Sequence, residues 1–220
     1  MSTPTFDRER DLLASGASFV VGFDEVGKGA WAGPLVVGAA VLPHGSQLPP
    51  VVADVRDSKT LTEKRRESMF EDLAEACMAW SIGAASHLEC DRLGMVGAQR
   101  LAAHRACIGL RLDLVGASAV VDGNWDFVSP HIGRVVTEVK ADASCLSVAV
   151  ASVLAKVSRD RMMRDMARDY PLWSFETNKG YPCAKHRRAL QGYGPSAVHR
   201  TSWAFMDNFV PWLVPHVAHG

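Results

Sequence analysis

The strongest apolar signal in the chain lies between residues 18 and 42, SFVVGFDEVGKGAWAGPLVVGAAVL, where two Val-rich runs flank a short polar loop. Phe19 to Phe23 and Leu35 to Leu42 are continuous apolar runs, so both read as strands buried on two faces. Upstream, FDRERDLLAS has the pattern of a short amphipathic helix closed by Gly16. Downstream, the spacing predicts a helix from about Leu61 to Met78. Thr60 and Glu63 match a capping box, and Leu73, Ala76, Cys77 and Trp80 form its apolar stripe. AWSIGAASH predicts a third strand, and a second long helix runs from about Glu89 through MVGAQRLAAHRACIGLRL. His104 in that helix has no ligand-type residue at i+4 and reads as a helix-surface or core-edge residue.

Two further apolar runs each lead to a carboxylate. ASAVVDGN predicts a strand ending in Asp122 and Gly123, and RVVTEVKAD predicts one ending in Asp142. From Ser144 to Tyr170 the pattern is helical, with Leu146, Ala149, Val150, Val153, Leu154 and Val157 facing inward. Ser152, Lys156, Arg159 and Asp160 share one polar face of it, and Arg159 and Asp160 are expected to be a solvated stripe. Pro171 ends the helix. The stretch that follows, WSFETNKGYPCAKHRRALQGYGPSAVHRTSW, mixes aromatic, basic and glycine residues in a way that suits nucleic-acid contact. The tail, MDNFVPWLVPHVAHG, reads as an apolar segment packed back on the domain.

Composition narrows the picture in a few ways. With 220 residues and 48% hydrophobic composition, the chain is long enough for one sizeable core with a small appended region. Lys plus Arg and Asp plus Glu balance at 24 each, so any basic surface must be local. The five cysteines are odd in number, widely spaced and never in a CxxC pair, which argues against a disulfide framework or a zinc knuckle. A polar N-terminus and the lack of an apolar run of ~20 residues point to a soluble, cytoplasmic chain with no membrane partner.

The candidate chemistry gathers at strand ends. Asp24 and Glu25 close the first strand, and burying them requires compensation because an unpaired buried carboxylate costs several kcal/mol or takes up a proton. Gly27, Gly29 and Gly33 remove side chains nearby and allow another molecule to approach the backbone, with Lys28 placed to meet an anion. Asp57, Ser58 and Lys59 precede a helix start, where free N–H groups favour a phosphate. In an open sheet, Asp24, Glu25, Asp122 and Asp142 can converge. Four oxygen ligands without His or Cys favour Mg²⁺ or Mn²⁺, and a pair of such ions suits phosphodiester hydrolysis. The residues by themselves reach as far as a metal-dependent phosphoryl hydrolase.

Five ordered motifs over most of the chain carry a resemblance: FDEVGKGAWAGP, DSKTLTEKRR, VVDGN, KADASCLSVAVASVLAKVSRDR, and NKGYPCAKHRRAL followed by GPSAVHRTSW. Together they resemble bacterial ribonuclease HII, a type 2 ribonuclease H. The resemblance implies an α/β ribonuclease H-like fold, a mixed central sheet flanked by helices. It implies a catalytic domain over 1–170 and a C-terminal helical substrate-binding region over 171–220. It also implies that Asp24, Glu25, Asp122 and Asp142 are the catalytic, metal-holding carboxylates. By the same resemblance Ser58, Lys59 and Lys156 contact phosphate, the loop Gly27, Lys28, Gly29 contacts the ribose, and Tyr181 stacks on the sugar at the cleavage site.

The implied activity is metal-dependent cleavage of the RNA strand of RNA/DNA hybrids and incision 5′ of ribonucleotides embedded in duplex DNA, leaving 3′-OH and 5′-phosphate ends. The chain is expected to act as a monomer. The related ribonuclease HIII type carries an extra N-terminal domain, and the ~17 residues before the first strand disfavour that type. Two departures stand out: Lys28 occupies the middle of a loop that is usually Gly-Arg-Gly, and Ala141 replaces the glycine of the more usual Lys-Gly-Asp. The rival readings are a ribonuclease H-like nuclease for branched or all-DNA substrates, and a non-catalytic hybrid binder.

Overall fold

A computed structural model of the chain describes residues 3–44, 48–55, 61–204, 206 and 210. The strands are β1 (Val20–Val26), β2 (Leu35–Val41), β3 (Ala79–Ala85), β4 (Ser118–Asp122) and β5 (Arg134–Glu138), and they form one sheet in the order β3-β2-β1-β4-β5. β1 pairs antiparallel with β2, and β2 with β3, whereas β1–β4 and β4–β5 are parallel. The helices are α1 (Asp7–Ala14), α2 (Pro50–Ala53), α3 (Glu63–Ala76), α4 (His87–Gly109), α5 (Leu146–Asp169), α6 (Phe175–Asn178) and α7 (Ala184–Tyr193). No helix among the described residues is long and apolar enough to cross a membrane.

The continuous apolar character of β1 and β2 follows from their central place. β2 is buried along its whole length, with α4 against one face of the sheet and α5 against the other. Gly22 and Gly38 let α5 approach closely: a Cβ at either would run into the α5 backbone at Ser147 or Ala151. α4 opens with a full capping box between Ser86 and Glu89 and kinks at Gly94, whose φ is +66°. On α3 the cap is Thr62, which accepts from the Arg65 N–H at 3.2 Å. The predicted pairing of Thr60 with Glu63 is therefore replaced by one two residues on, and Thr60 itself lies outside the described residues.

Helix α5 lacks a side-chain cap of its own at Cys145. Glu9 of α1 supplies one: its buried Oε1 accepts from the Ser147 N–H at 2.7 Å and from the Cys145 thiol at 3.0 Å. The carboxylate meets the helix N-terminus, where the backbone dipole favours negative charge. The N-terminal helix thus fixes the start of the helix that carries Ser152, Lys156 and Arg159.

Two expectations change here. Asp142 does not end a strand. β5 stops at Glu138, Lys140 turns the chain with φ +62°, and Asp142 lies in a 3-10 turn spanning Ala141–Ala143. Nor are Arg159 and Asp160 solvated, since they are 0% and 2% exposed. The helical face was read correctly, but residues from the C-terminal region and from α3 pack over it.

Candidate active site

The parallel register of β1 and β4 pairs Phe23 with Val121, so one residue on, Asp24 and Asp122 stand side by side at the C-terminal ends of neighbouring strands. Glu25 follows Asp24 on the opposite face of β1. These carboxylates form one wall of a cleft of about 420 Å³, also lined by Gly27, Lys28, Gly29, Ser152, Lys156 and Tyr181. Asp142 is buried and is not among the residues lining the cleft, but its charge acts on Asp24. The backbone N–H of its neighbour Ala141 donates to Asp122 Oδ1 at 2.8 Å. Ser58 and Lys59 lie outside the described residues.

Asp24 is 5% exposed, accepts from the Glu25 N–H at 2.7 Å and is hydrogen-bonded to the Ser152 side chain. Its carboxyl is pushed up to about 8, first by burial and then by the nearby charges of Asp122, Glu25 and Asp142, with Ser152 opposing the rise. Among the described residues, no three His, Cys, Asp or Glu side chains stand close enough to enclose an ion as they are. The carboxylates have other partners: Asp122 holds Ala141, and Glu25 lies 3.8 Å from the Lys28 ammonium. The donor set itself still fits a hard divalent cation, because Asp24, Glu25 and Asp122 bring carboxylate oxygens into one cleft, where burial and then the neighbouring charges penalise ionised Asp24.

Lys156 reaches the cleft from α5 while paired with Asp160 at 2.5 Å. Burial lowers its pKa and Asp160 opposes the drop. Asp160 also faces the Arg66 guanidinium at 3.8 Å, so the buried carboxylate holds two cations next to the cleft.

The glycine loop is fastened from below. Gly27 adopts φ +91°, and a Cβ there would overlap the Arg159 guanidinium, so the position has room only for glycine. Arg159 donates to the carbonyls of Ala32 (3.2 Å), Pro34 (2.9 Å) and Lys179 (2.9 Å). Arg200, also fully buried, donates to the Gly33 carbonyl at 3.0 Å and the Lys28 carbonyl at 3.2 Å. The loop is stitched to the C-terminal segment by Trp31 N–H to Gly180 O at 2.8 Å and Gly33 N–H to Val198 O at 2.9 Å. The Gly27 N–H donates to the Tyr181 hydroxyl at 3.0 Å, and the Arg159 guanidinium lies over the Tyr181 ring at 5.2 Å. Gly29 faces open space, and the Lys28 side chain is half exposed.

The structure brings Asp24, Glu25, Asp122, the glycine loop, Lys156 and Tyr181 to one cleft, with Asp142 outside its lining, whereas sequence reasoning assigned nothing to Arg200, His186 or His199. All three fall inside quoted motifs. Their one sequence signal is a basic or imidazole side chain beside residues that pack, which is too common to single them out.

A mixed sheet whose neighbouring parallel strands end in paired carboxylates, beside a basic helix face and a glycine loop, defines a ribonuclease H-like hydrolase. Solved structures agree with that architecture. Ribonuclease H2 from Pyrococcus horikoshii OT3 superposes with TM-score 0.69 at 27% identity, covering 87% of this chain and 96% of that one. The Archaeoglobus fulgidus RNase HII, solved in complex with PCNA, gives 0.71 at 26%, with the same coverage. A Bst-RNase HIII structure with Mn²⁺ shares the fold at 18% identity and TM-score 0.67, covering 91% of this chain and 72% of that one.

The family model described as Ribonuclease HII matches residues 21–206. The Streptomyces coelicolor ribonuclease HII is 44% identical over 95% of this chain and 87% of its own length. That of Paracoccus denitrificans is 43% identical over 93% of both. The chain belongs to the ribonuclease HII family. With the family comes ribonuclease H activity on RNA/DNA hybrids.

Proposed function

We propose that this chain incises duplex DNA 5′ of embedded ribonucleotides as well as cutting the RNA strand of hybrids, leaving 3′-OH and 5′-phosphate ends. The observation that carries the proposal is the direct hydrogen bond between the Gly27 N–H and the Tyr181 hydroxyl across the cleft from Asp24 and Asp122. It ties together two groups able to sense a sugar, in the same cleft as carboxylates able to support phosphodiester hydrolysis.

Asp24, Glu25, Asp122 and Asp142 are proposed to hold Mg²⁺ or Mn²⁺, two ions in the working complex. Bound there, divalent cations supply an activated water and a counter-charge for the leaving oxygen. The chain's own residues do the rest. Ser152 orients the Asp24 carboxylate, and Lys156 meets the substrate backbone as a charge, giving affinity without base preference. Ser58 and Lys59 are proposed as phosphate contacts on the sequence resemblance alone. The 2′-OH is what marks a ribose, and a backbone without side chains at Gly27 and Gly29 can reach it. Tyr181 is proposed to stack on the adjacent sugar. Residues 1–170 would then carry the chemistry and 171–220 the substrate-holding region, acting as a monomer.

The test is cleavage of three duplexes in Mg²⁺ and in Mn²⁺: one with a single ribonucleotide in DNA, one all DNA and one all RNA. Incision confined to the 5′ side of the ribonucleotide is expected. Cutting of the all-DNA duplex would move the chain to a general nuclease.

A further inference from the structure

Behind Tyr181, away from the cleft, lies a buried polar chain with no part in the chemistry above. His186 and His199 are 0% and 2% exposed and touch through their Nε2 atoms at 2.9 Å. His186 Nδ1 lies 3.0 Å from the Tyr181 carbonyl. His199 Nδ1 lies 2.8 Å from Ser196 Oγ and 2.9 Å from the Ser196 N–H. The rings are enclosed by Trp31, Trp173 and Phe175.

This chain has only one consistent placement of protons. A carbonyl can only accept, so His186 must carry its proton on Nδ1. Burial holds the ring neutral, which leaves its Nε2 an acceptor. His199 must then donate from Nε2, and its Nδ1 accepts from the Ser196 N–H and hydroxyl. Every group is satisfied, and every bond points toward Tyr181. Adding a proton to either ring, or swapping either tautomer, sets two donors against each other in a site with no water-facing alternative.

We infer that the directional chain Ser196 to His199 to His186 positions Tyr181, so that His186 and His199 set the enzyme's preference for the ribonucleotide junction without touching the substrate. The inference rests on the proposed role of Tyr181 and adds what holds it. The hydroxyl of Tyr181 is fixed by Gly27, its ring lies against Arg159, and its backbone carbonyl is fixed by His186. Releasing the last of these frees the tyrosine to pivot away from the loop.

Imidazole ¹⁵N NMR on the intact wild-type protein reads the tautomers directly. We expect the Nδ1–H form for His186 and the Nε2–H form for His199, and the opposite pair would overturn the inference. In parallel, kcat/KM on the single-ribonucleotide duplex is divided by kcat/KM on a long hybrid. His186→Leu should lower this ratio about tenfold, the size of one lost stacking contact. His186→Asn places an amide donor near the lost Nδ1–H and should restore most of it. A fall of equal size on both substrates, with Asn no better than Leu, would mean a packing role only. Tyr181→Ala separates the two levels. If it abolishes the preference while His186→Leu keeps it, the relay falls and the reading of Tyr181 stands. If Tyr181→Ala keeps the preference, that reading falls and the relay's role in selectivity falls with it.

Discussion

Replacing Asp24 with Asn tests the electrostatics of the cleft without disturbing its shape. The Asn side chain keeps an oxygen to accept from the Glu25 N–H and removes the charge that Asp122, Glu25 and Asp142 oppose. With the Asp24 carboxyl raised from 3.8 to about 8, the folded protein retains a proton that the unfolded chain releases. Stability from this group is therefore fully present below pH 3.8 and is lost as the pH rises toward 8. At 1.36 kcal/mol per pH unit, the interval up to pH 7 sets a ceiling of about 4 kcal/mol on what Asn recovers. A chain of this size gains about 2–4 °C of Tm per kcal/mol. In chelator, Asp24→Asn should melt several degrees above wild type at pH 8, and the two should converge at pH 4. Added Mn²⁺ should reverse the order by raising the wild type alone, and hybrid cleavage by the variant should be lost. Parallel melting curves from pH 4 to 8, with no widening gap, would refute the assignment of Asp24 as the strained member of the site.

Lys156→Ala should weaken binding to all hybrid sequences and reduce the slope of log K against log salt by about one. It should also cost stability, since among the described residues the Asp160 ion pair left is the more distant one with Arg66; salt titrations and melts of the same variant check both. Gly27→Ala should cost several kcal/mol or abolish junction cleavage, because a left-handed backbone and the Arg159 guanidinium both exclude a Cβ. Lys28→Arg should change junction and long-hybrid kinetics by less than about twofold, since the side chain is half exposed and its held atom is the backbone carbonyl. His199, pushed down to about 3 chiefly by burial, should draw stability away as the pH falls below 6.5, where the unfolded imidazole binds a proton the folded one refuses. The acid limb of a Tm–pH curve should flatten in His199→Gln.

The carboxylates at 24, 25 and 122 were legible because a charged residue at the end of an all-apolar run is costly wherever strands are buried, so its position carries information. Asp142 was legible as an acid near a strand but misplaced, since nothing in RVVTEVKAD marks the left-handed turn at Lys140 that ends the strand early. Arg159 and Asp160 show a different limit. Helical spacing identifies which residues share a face, but what packs on that face is decided by distant segments, here residues 179–181, the loop at 32–34 and Arg66 of α3. The same limit hid Glu9, whose cap on α5 joins residues 138 positions apart. Proton direction in the Ser196–His199–His186 chain depends on contacts that no spacing encodes.

The seam between the glycine loop and the C-terminal segment explains how one cleft can separate chemistry from selection. Strand register sets Asp24 beside Asp122, through Phe23 against Val121, and the turn at Ala141 adds its N–H to Asp122. The loop is set by bonds that leave the sheet: Arg159 and Arg200 to its carbonyls, Trp31 and Gly33 to residues 180 and 198, and Gly27 to Tyr181. Two fully buried guanidinium groups held by carbonyl oxygens make this arrangement unforgiving, because a carbonyl that loses such a donor in the interior has no water to replace it. Substitutions along the seam should therefore alter which phosphodiester is presented before they alter how fast a presented one is cut. Substitutions at the strand ends should do the reverse. A pair drawn from each set, such as His186→Leu with Glu25→Gln, should combine additively in log kcat/KM, since the two act through separate supports.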